Sequence, residues 1–302
     1  MKTNFKLLAL LAILSFTACE TSEEALTATD NTTAEAVAVK TKTNSAIYAK
    51  TSTVTTETAL KAAVASAVAG DIIKISGTIY LTSTLQITKN GTAASKINLT
   101  GGTLNCSGIP AGNWGIKMLA SYWNITNMTI TKGNSHGLIF ATGGYNYVYN
   151  VTATYFQGTG IMIYSGGHHN NISACHSSEN YDPIDGGQNA DGFACSLSGG
   201  AGNKFDSCVS THNSDDGFDL YGNSATVVIN NCIATKNGYG TAGNGNGFKL
   251  GSSGQNIPHT VTNCSSTNNL AYGYDGNGNI GHITITGSTG SGNGKGLFAR
   301  IY

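Results

Sequence analysis

The stretch HNSDDGFDLYG (212–222) places Asp215, Asp216 and Asp219 within five positions. Like charges held this close repel, so a group that gathers them must either carry protons or face a cation. Half of the sixteen acidic residues fall between Glu179 and Asp219, which makes the acidity local even though the net charge is zero. Two neighbouring stretches share the pattern: NADGF (189–193), with Asp191, and GNGNGFKLG (243–251), with Lys249 in place of the last aspartate. Whether these residues meet depends on the elements that carry them.

Internal repetition supplies those elements. The segments NMTIT, NVTAT, ACHSS, SCVST, NCIAT, NCSST and GSTGS share a second residue at Met128, Val151, Cys175, Cys208, Cys232, Cys264 and Ser288. The successive spacings are 23, 24, 33, 24, 32 and 24 residues, a period near 24 with two insertions. A glycine followed by a large apolar residue trails each segment: HGLIF, TGIMI, DGFAC, DGFDL, NGFKL, YGYDG and KGLFA. The inserted residues enter mainly at the turn before this step, and the seventh coil is one residue short. Short alternating strands separated by Asn/Gly turns at this period predict an all-β, single-stranded parallel β-helix. Residues 57–69 (ETALKAAVASAVA) predict a short amphipathic helix that caps its first coil. Cys175, Cys208, Cys232 and Cys264 share one repeat position, so they are expected to stack inside as free, buried thiols.

Register then groups the charged residues. With Phe193, Phe218 and Phe248 facing inward, Asp219 and Lys249 face outward on consecutive coils, about 4.8 Å apart. Asp191, Asp216 and Asn246 stack just before the glycines, with Asp215 alongside. Four carboxylates on one face suit all-oxygen ligation of Ca2+, and no His/Cys set favours zinc. Aspartates also occupy ordinary turns, but that reading does not explain Asp219 on a strand, where Asp is disfavoured. Lys249 has two readings: a lysine paired with Asp219, or a base whose ammonium form is disfavoured beside a dication.

NADGF, NSDDGFDLY and GNGNGFKLG, in that order, resemble the signature segments of polysaccharide lyase family 9, the calcium-dependent pectate lyases; the similarity spans about 127–302. The resemblance implies a right-handed β-helix and β-elimination on polygalacturonate. It matches Asp191, Asp215, Asp216 and Asp219 to calcium ligands and Lys249 to the base that removes the C5 proton. Arg300, the one arginine, is expected to face outward two coils beyond Lys249, where a bidentate contact to a uronate carboxylate is one role and an ordinary surface arginine the other. His168, His169 and His212 read as surface residues. Two rival functions fit parts of the pattern: a polygalacturonase-type glycoside hydrolase, and a non-catalytic, calcium-stabilised β-helix that binds surface glycans. Members of the family generally continue through further coils, so a chain that stops at FARIY is expected to be either naturally short or a fragment.

At the N-terminus, MKTNFKLLALLAILSFTAC reads as an export signal over residues 1–18, its apolar run too short to span a bilayer. FTAC resembles the lipobox of bacterial lipoproteins, with Cys19 as the lipidated residue and Phe16 in place of the usual leucine. Residues 19–50, rich in Thr, Ala and Glu, read as a flexible tether, and 51–302 as the β-helix domain. The expected location is the outer membrane, at the cell surface or on the periplasmic side. Zero net charge gives no reason to expect a nucleic-acid partner, and membrane contact is expected only through the lipid. The chain is expected to act as a monomer on pectin.

Overall fold

A computed structural model describes residues 49–302; the export signal, Cys19 and nearly all of the tether lie outside the described residues. The first strand, Thr51–Val54, is followed by the helix Glu57–Ser66, which buries Leu60 and Val64 against the first coil. Thr56 caps the helix by accepting the Ala59 N–H at 3.2 Å. Glu57 fastens it to the coil below, accepting the Thr82 backbone N–H at 3.0 Å and the Thr82 hydroxyl at 2.8 Å.

Everything after the helix is parallel solenoid. Among the described residues the strands form a 17-stranded and a 9-stranded sheet, and the strand pairs are parallel. The shared second residues of the repeats, the landmarks Met128 to Ser288, pair in the expected register: Val151 lies beside Met128, and the strands after Cys175, Cys208, Cys232 and Cys264 are neighbours in turn. The four cysteines are free and buried, as are Cys106 and Cys195. Phe193, Phe218, Phe248 and Tyr274 form a second interior column, which the half-exposed Phe298 continues, with ring centroids 5.0, 4.8, 4.9 and 5.4 Å apart. The two insertions are the loops 179–192 and 236–247, both just before strands of this column.

The corners explain the Asn/Gly pattern. The residue before each landmark adopts a left-handed backbone, with φ from 49° to 64° at Asn127, Asn150, Ala174, Ser207, Asn231, Asn263 and Gly287. Four residues after each landmark the chain does so again, from Lys132 to Gly292. Asn and Gly tolerate this region best, so two such corners bend every coil at fixed places.

One residue after the second corner lies a feature whose sequence signal is a constant offset. Asn180, Asn213, Asn237, Asn269 and Asn293 each stand five residues after the landmark. Each side-chain N–H2 donates to the next asparagine's Oδ1, at 2.8, 2.9, 3.0 and 2.9 Å. That same Oδ1 accepts a backbone N–H from the previous coil, at 3.1 Å between Asn213 and Asn237. The ladder fixes the turn that carries Asp215 and Asp216. Asn237→Ala leaves the buried Asn213 N–H without its acceptor, while Asn269 keeps the backbone N–H of residue 237 at 3.0 Å. The change is expected to cost about 1–3 kcal/mol, read from urea unfolding midpoints. An unchanged midpoint would rule out that role.

A second ladder, Asn146, Asn170 and Asn203, continues through Val227 to the position of His259. His259 is fully buried, its Nδ1 accepts the Val227 N–H at 3.1 Å, and its Nε2 has no partner. Burial disfavours the imidazolium and lowers its pKa to about 4. Above the ordinary histidine value its stabilising contribution is complete; it is lost as pH falls toward 4, because the unfolded chain takes up the proton first. That window corresponds to about 3 kcal/mol. Unfolding of the native protein and His259→Gln at pH 7.5 and 4.5 measures it, and the variant is expected to lose less stability on acidification.

The last coil departs from the expected register. Phe298, not Leu297, takes the place in register with Tyr274, and Ala299 pairs with Asp275; the Phe298 ring is half-exposed, and Leu297 still packs against the core. The pairing keeps one step from Ser265–Thr289 to Tyr272–Gly296, so the glycine and not the coil comes one residue early. This keeps an aromatic ring on the stack and puts Arg300 past the end of the strand Gly296–Ala299.

Candidate active site

Asp219 and Lys249 are direct neighbours on paired strands, Phe218–Asp219 and Phe248–Lys249. The lysine ammonium lies 3.3 Å from Asp219 Oδ2 and 3.2 Å from Asp216 Oδ2. It also sits 5.2 Å from the centre of the Tyr221 ring, a contact with the quadrupole of the aromatic face. Asp191, Asp216 and Asp219 each offer a carboxylate oxygen, all within 4.8 Å of one another. Backbone amides orient these groups: Asp191 Oδ1 accepts the Asp216 N–H at 3.1 Å, and Asp219 Oδ1 accepts the Tyr221 N–H at 2.7 Å. Asp216 Oδ1 accepts the Asn246 N–H at 2.6 Å, while its buried Oδ2 takes no hydrogen bond; the lysine approaches it as a charge only.

The sequence grouped four aspartates, and the structure converges three. Asp215 is buried beside them, but its oxygens are taken by the backbone N–H groups of Asn189 at 2.9 Å and Asn244 at 2.5 Å. Both donors come from the inserted loops, so Asp215 ties the two insertions to the coil between them.

Electrostatics follow from crowding. Burial raises the pKa of Asp191, and the charges of Asp219, Asp215 and Asp216 push it higher. Asp216 is raised by burial and then by Asp215, against the pull of Lys249. Asp219 is raised by burial despite Lys249. Burial works against the Lys249 ammonium, but Asp219, Asp216, Asp191 and Asp215 outweigh it and hold the pKa well above the ordinary lysine value. With its carboxylates uncompensated, Lys249 is therefore a cation rather than a base. A hard, all-oxygen donor set with one orphaned buried oxygen and excess negative charge fits a divalent cation.

Asp191, Asp215, Asp219 and Lys249 floor a groove of about 750 Å³, with Asp216 buried beside them. Successive coils contribute to its lining, from Gly112 and His136 through Thr159, Asp191 and Asp219 to Lys249 and Asn277, so it runs along the helix axis. Arg300 is not among the lining residues. It folds back on Asp275, with Nε 2.9 Å from Oδ1 and Nη2 on Oδ2, so its fork is already occupied. His168 is partly exposed, and His169 and His212 are exposed, as expected.

Residues 37–301 match the family model described as "Pel9A-like, right handed beta helix region". The chain belongs to the Pel9A-like β-helix family. It is 32% identical over 257 residues to pectate lyase L of Dickeya chrysanthemi, covering 77% of this chain and 60% of that protein. Pectate lyase L of Dickeya dadantii is 35% identical over 188 residues, covering 60% and 44%. The crystal structure of pectate lyase Pel9A superposes with a TM-score of 0.70 at 31% identity, covering 74% of this chain and 61% of that one. The chain thus spans about half the length of these relatives. Within this Pel9A-like helix, sequence reasoning passed over Tyr221 and Thr159. Thr159, which donates to Asp191 Oδ2 at 3.0 Å, carries no signal beyond its repeat position; Tyr221 lies two residues after Asp219 inside the acidic motif itself.

Proposed function

We propose that this chain is a calcium-dependent pectate lyase that cleaves polygalacturonate by β-elimination. The observation that carries this reading is Lys249, one strand step from Asp219 and above a converging carboxylate cluster on the floor of a long groove. The pectate lyases to which the chain is similar support the substrate.

Asp191, Asp216 and Asp219 would hold Ca2+, with Asp215 supporting them from the side. When bound, the ion would neutralise the uronate carboxylate and so favour the negative charge that builds as C5 loses its proton. Lys249 accepts that proton on Nζ as a free amine. The carboxylates that otherwise hold it as an ammonium lose that hold once their charge is compensated. The C5–H electrons then form the C4–C5 double bond as the C4–O4 bond breaks. Water supplies the proton to the departing oxygen.

A glycoside hydrolase needs its two carboxyl groups roughly 5–5.5 Å or 6.5–9.5 Å apart, flanking the scissile bond. Here three carboxylates each bring one oxygen within 4.8 Å of the others, beside a lysine on the next coil, an arrangement suited to a shared cation. A purely glycan-binding helix uses that lysine only as a counter-charge to Asp216 and Asp219. Incubation with polygalacturonate, with and without a chelator, separates the three readings. Ultraviolet absorbance of unsaturated product that depends on calcium is expected; reducing ends without absorbance would mean hydrolysis. The N-terminal signal and Cys19 support export and lipid anchoring, and loss of palmitate labelling in Cys19→Ser is the corresponding test.

A further inference from the structure

The groove runs from the catalytic floor past Met162 to His136 and Gly112, and Trp114 and Lys117 border that end beside His136 without being part of its lining. The outward-facing residues of the 9-stranded sheet form one column in strict register: Lys117, Ile139, Met162, Ala194, Asp219 and Lys249. Five strand steps separate its two lysines, about 24 Å along the axis. Between them, Ile139, Met162 and Ala194 make a buried apolar floor.

Trp114 packs against that floor at its far end and is only partly buried. Its ring stands edge-on to His136 at 6.5 Å and to Tyr164 at 6.1 Å, and the Lys117 ammonium lies 5.2 Å from its centre. Lys117 has no carboxylate within ion-pair distance among the described residues. His136 lines the groove, and its Nδ1 accepts the Thr159 N–H at 2.8 Å, which puts the ring proton on Nε2. The carboxylate whose charge reaches His136, Asp182, accepts the Ile184 N–H of its own loop at 2.8 Å.

We propose that this end of the groove is a second uronate-binding subsite, in which Trp114 stacks on a sugar ring and Lys117 pairs with its carboxylate. Aromatic faces offer apolar area to the C–H face of a sugar, and an unpaired ammonium beside them selects a charged sugar over a neutral one. The separation from Lys249 makes this a site for a distant unit of the chain being cleaved. The subsite therefore favours long substrates and does not touch the reacting ring. It rests on the reading of the groove as a galacturonan channel.

Two measurements test it. The first compares kcat/KM on polygalacturonate with kcat/KM on short oligogalacturonates. In Lys117→Gln and Trp114→Ala the long-to-short ratio is expected to fall about tenfold, the equivalent of one charge-assisted contact; an unchanged ratio overturns the subsite. The second needs no turnover. Trp114 and Trp123 are the two tryptophans, and Trp123 is fully buried, so fluorescence changes report on Trp114. In a Lys249→Ala background at low ionic strength, long oligogalacturonates are expected to change that emission and short ones not, with Lys117→Gln weakening binding about tenfold. No change with long chains overturns the subsite even in an active lyase. A change in a protein that yields no unsaturated product upholds the subsite and rejects only the lyase reading.

Discussion

Lys249→Ala is expected to reduce kcat on polygalacturonate by about 10²–10⁴, the range for loss of a positioned general base. Lys249 is the cation in contact with the cluster, 3.2 Å from Asp216 and 3.3 Å from Asp219 and over the face of Tyr221. Alanine also strips the carboxylates of their counter-charge, so a loss of activity in that variant combines two effects. Lys249→Arg separates them. A guanidinium keeps the positive charge beside Asp216 and Asp219 but does not give up its proton in any accessible pH range. The arginine variant should therefore fold normally and still fail to produce unsaturated sugar. An arginine enzyme with most of the native absorbance rate would remove Lys249 from the role of base.

The second large effect concerns the cation. A buried group of carboxylates facing a single lysine is strained by repulsion and desolvation until a cation balances it. Calcium at a hundredfold excess over its dissociation constant is expected to stabilise the protein by about 2.7 kcal/mol, visible as a rise in Tm that a chelator reverses. Asp216→Asn should abolish that rise. Asp216 is fully buried, its Oδ1 is already held by Asn246, and its Oδ2 is the oxygen left for an ion. The same variant relieves repulsion in the metal-free protein, so it should melt no lower than native protein in chelator while losing lyase activity. A calcium-dependent rise in Tm that survives Asp216→Asn would place the ion elsewhere.

The part of this molecule legible in the sequence is the part set by periodicity. Cysteines at one repeat position and a glycine-apolar step at another placed the strands, and strands in a parallel helix stack at one fixed spacing. Asp219 beside Lys249 follows from counting alone, because equivalent positions on consecutive coils have nowhere else to go. The asparagines five residues after the landmarks were equally visible, though only coordinates turn that offset into a ladder of hydrogen bonds.

Periodicity says nothing about loops, side-chain torsions or a coil that breaks the count. The amides of Asn189 and Asn244 reach Asp215 because two insertions of unrelated sequence fold toward each other, and no repeat fixes their paths. Arg300 meets Asp275 because the last strand keeps the register of the one before it, pairing Ala299 with Asp275, instead of following the glycine step. Trp114 lies across three strands that are distant in sequence, and only their packing shows the wall it makes. The sequence by itself determined which residues share a face, since the backbone period dictates that. Tertiary structure decided which of them touch, since contact depends on non-local packing and on the hydrogen bonds that buried polar atoms must find.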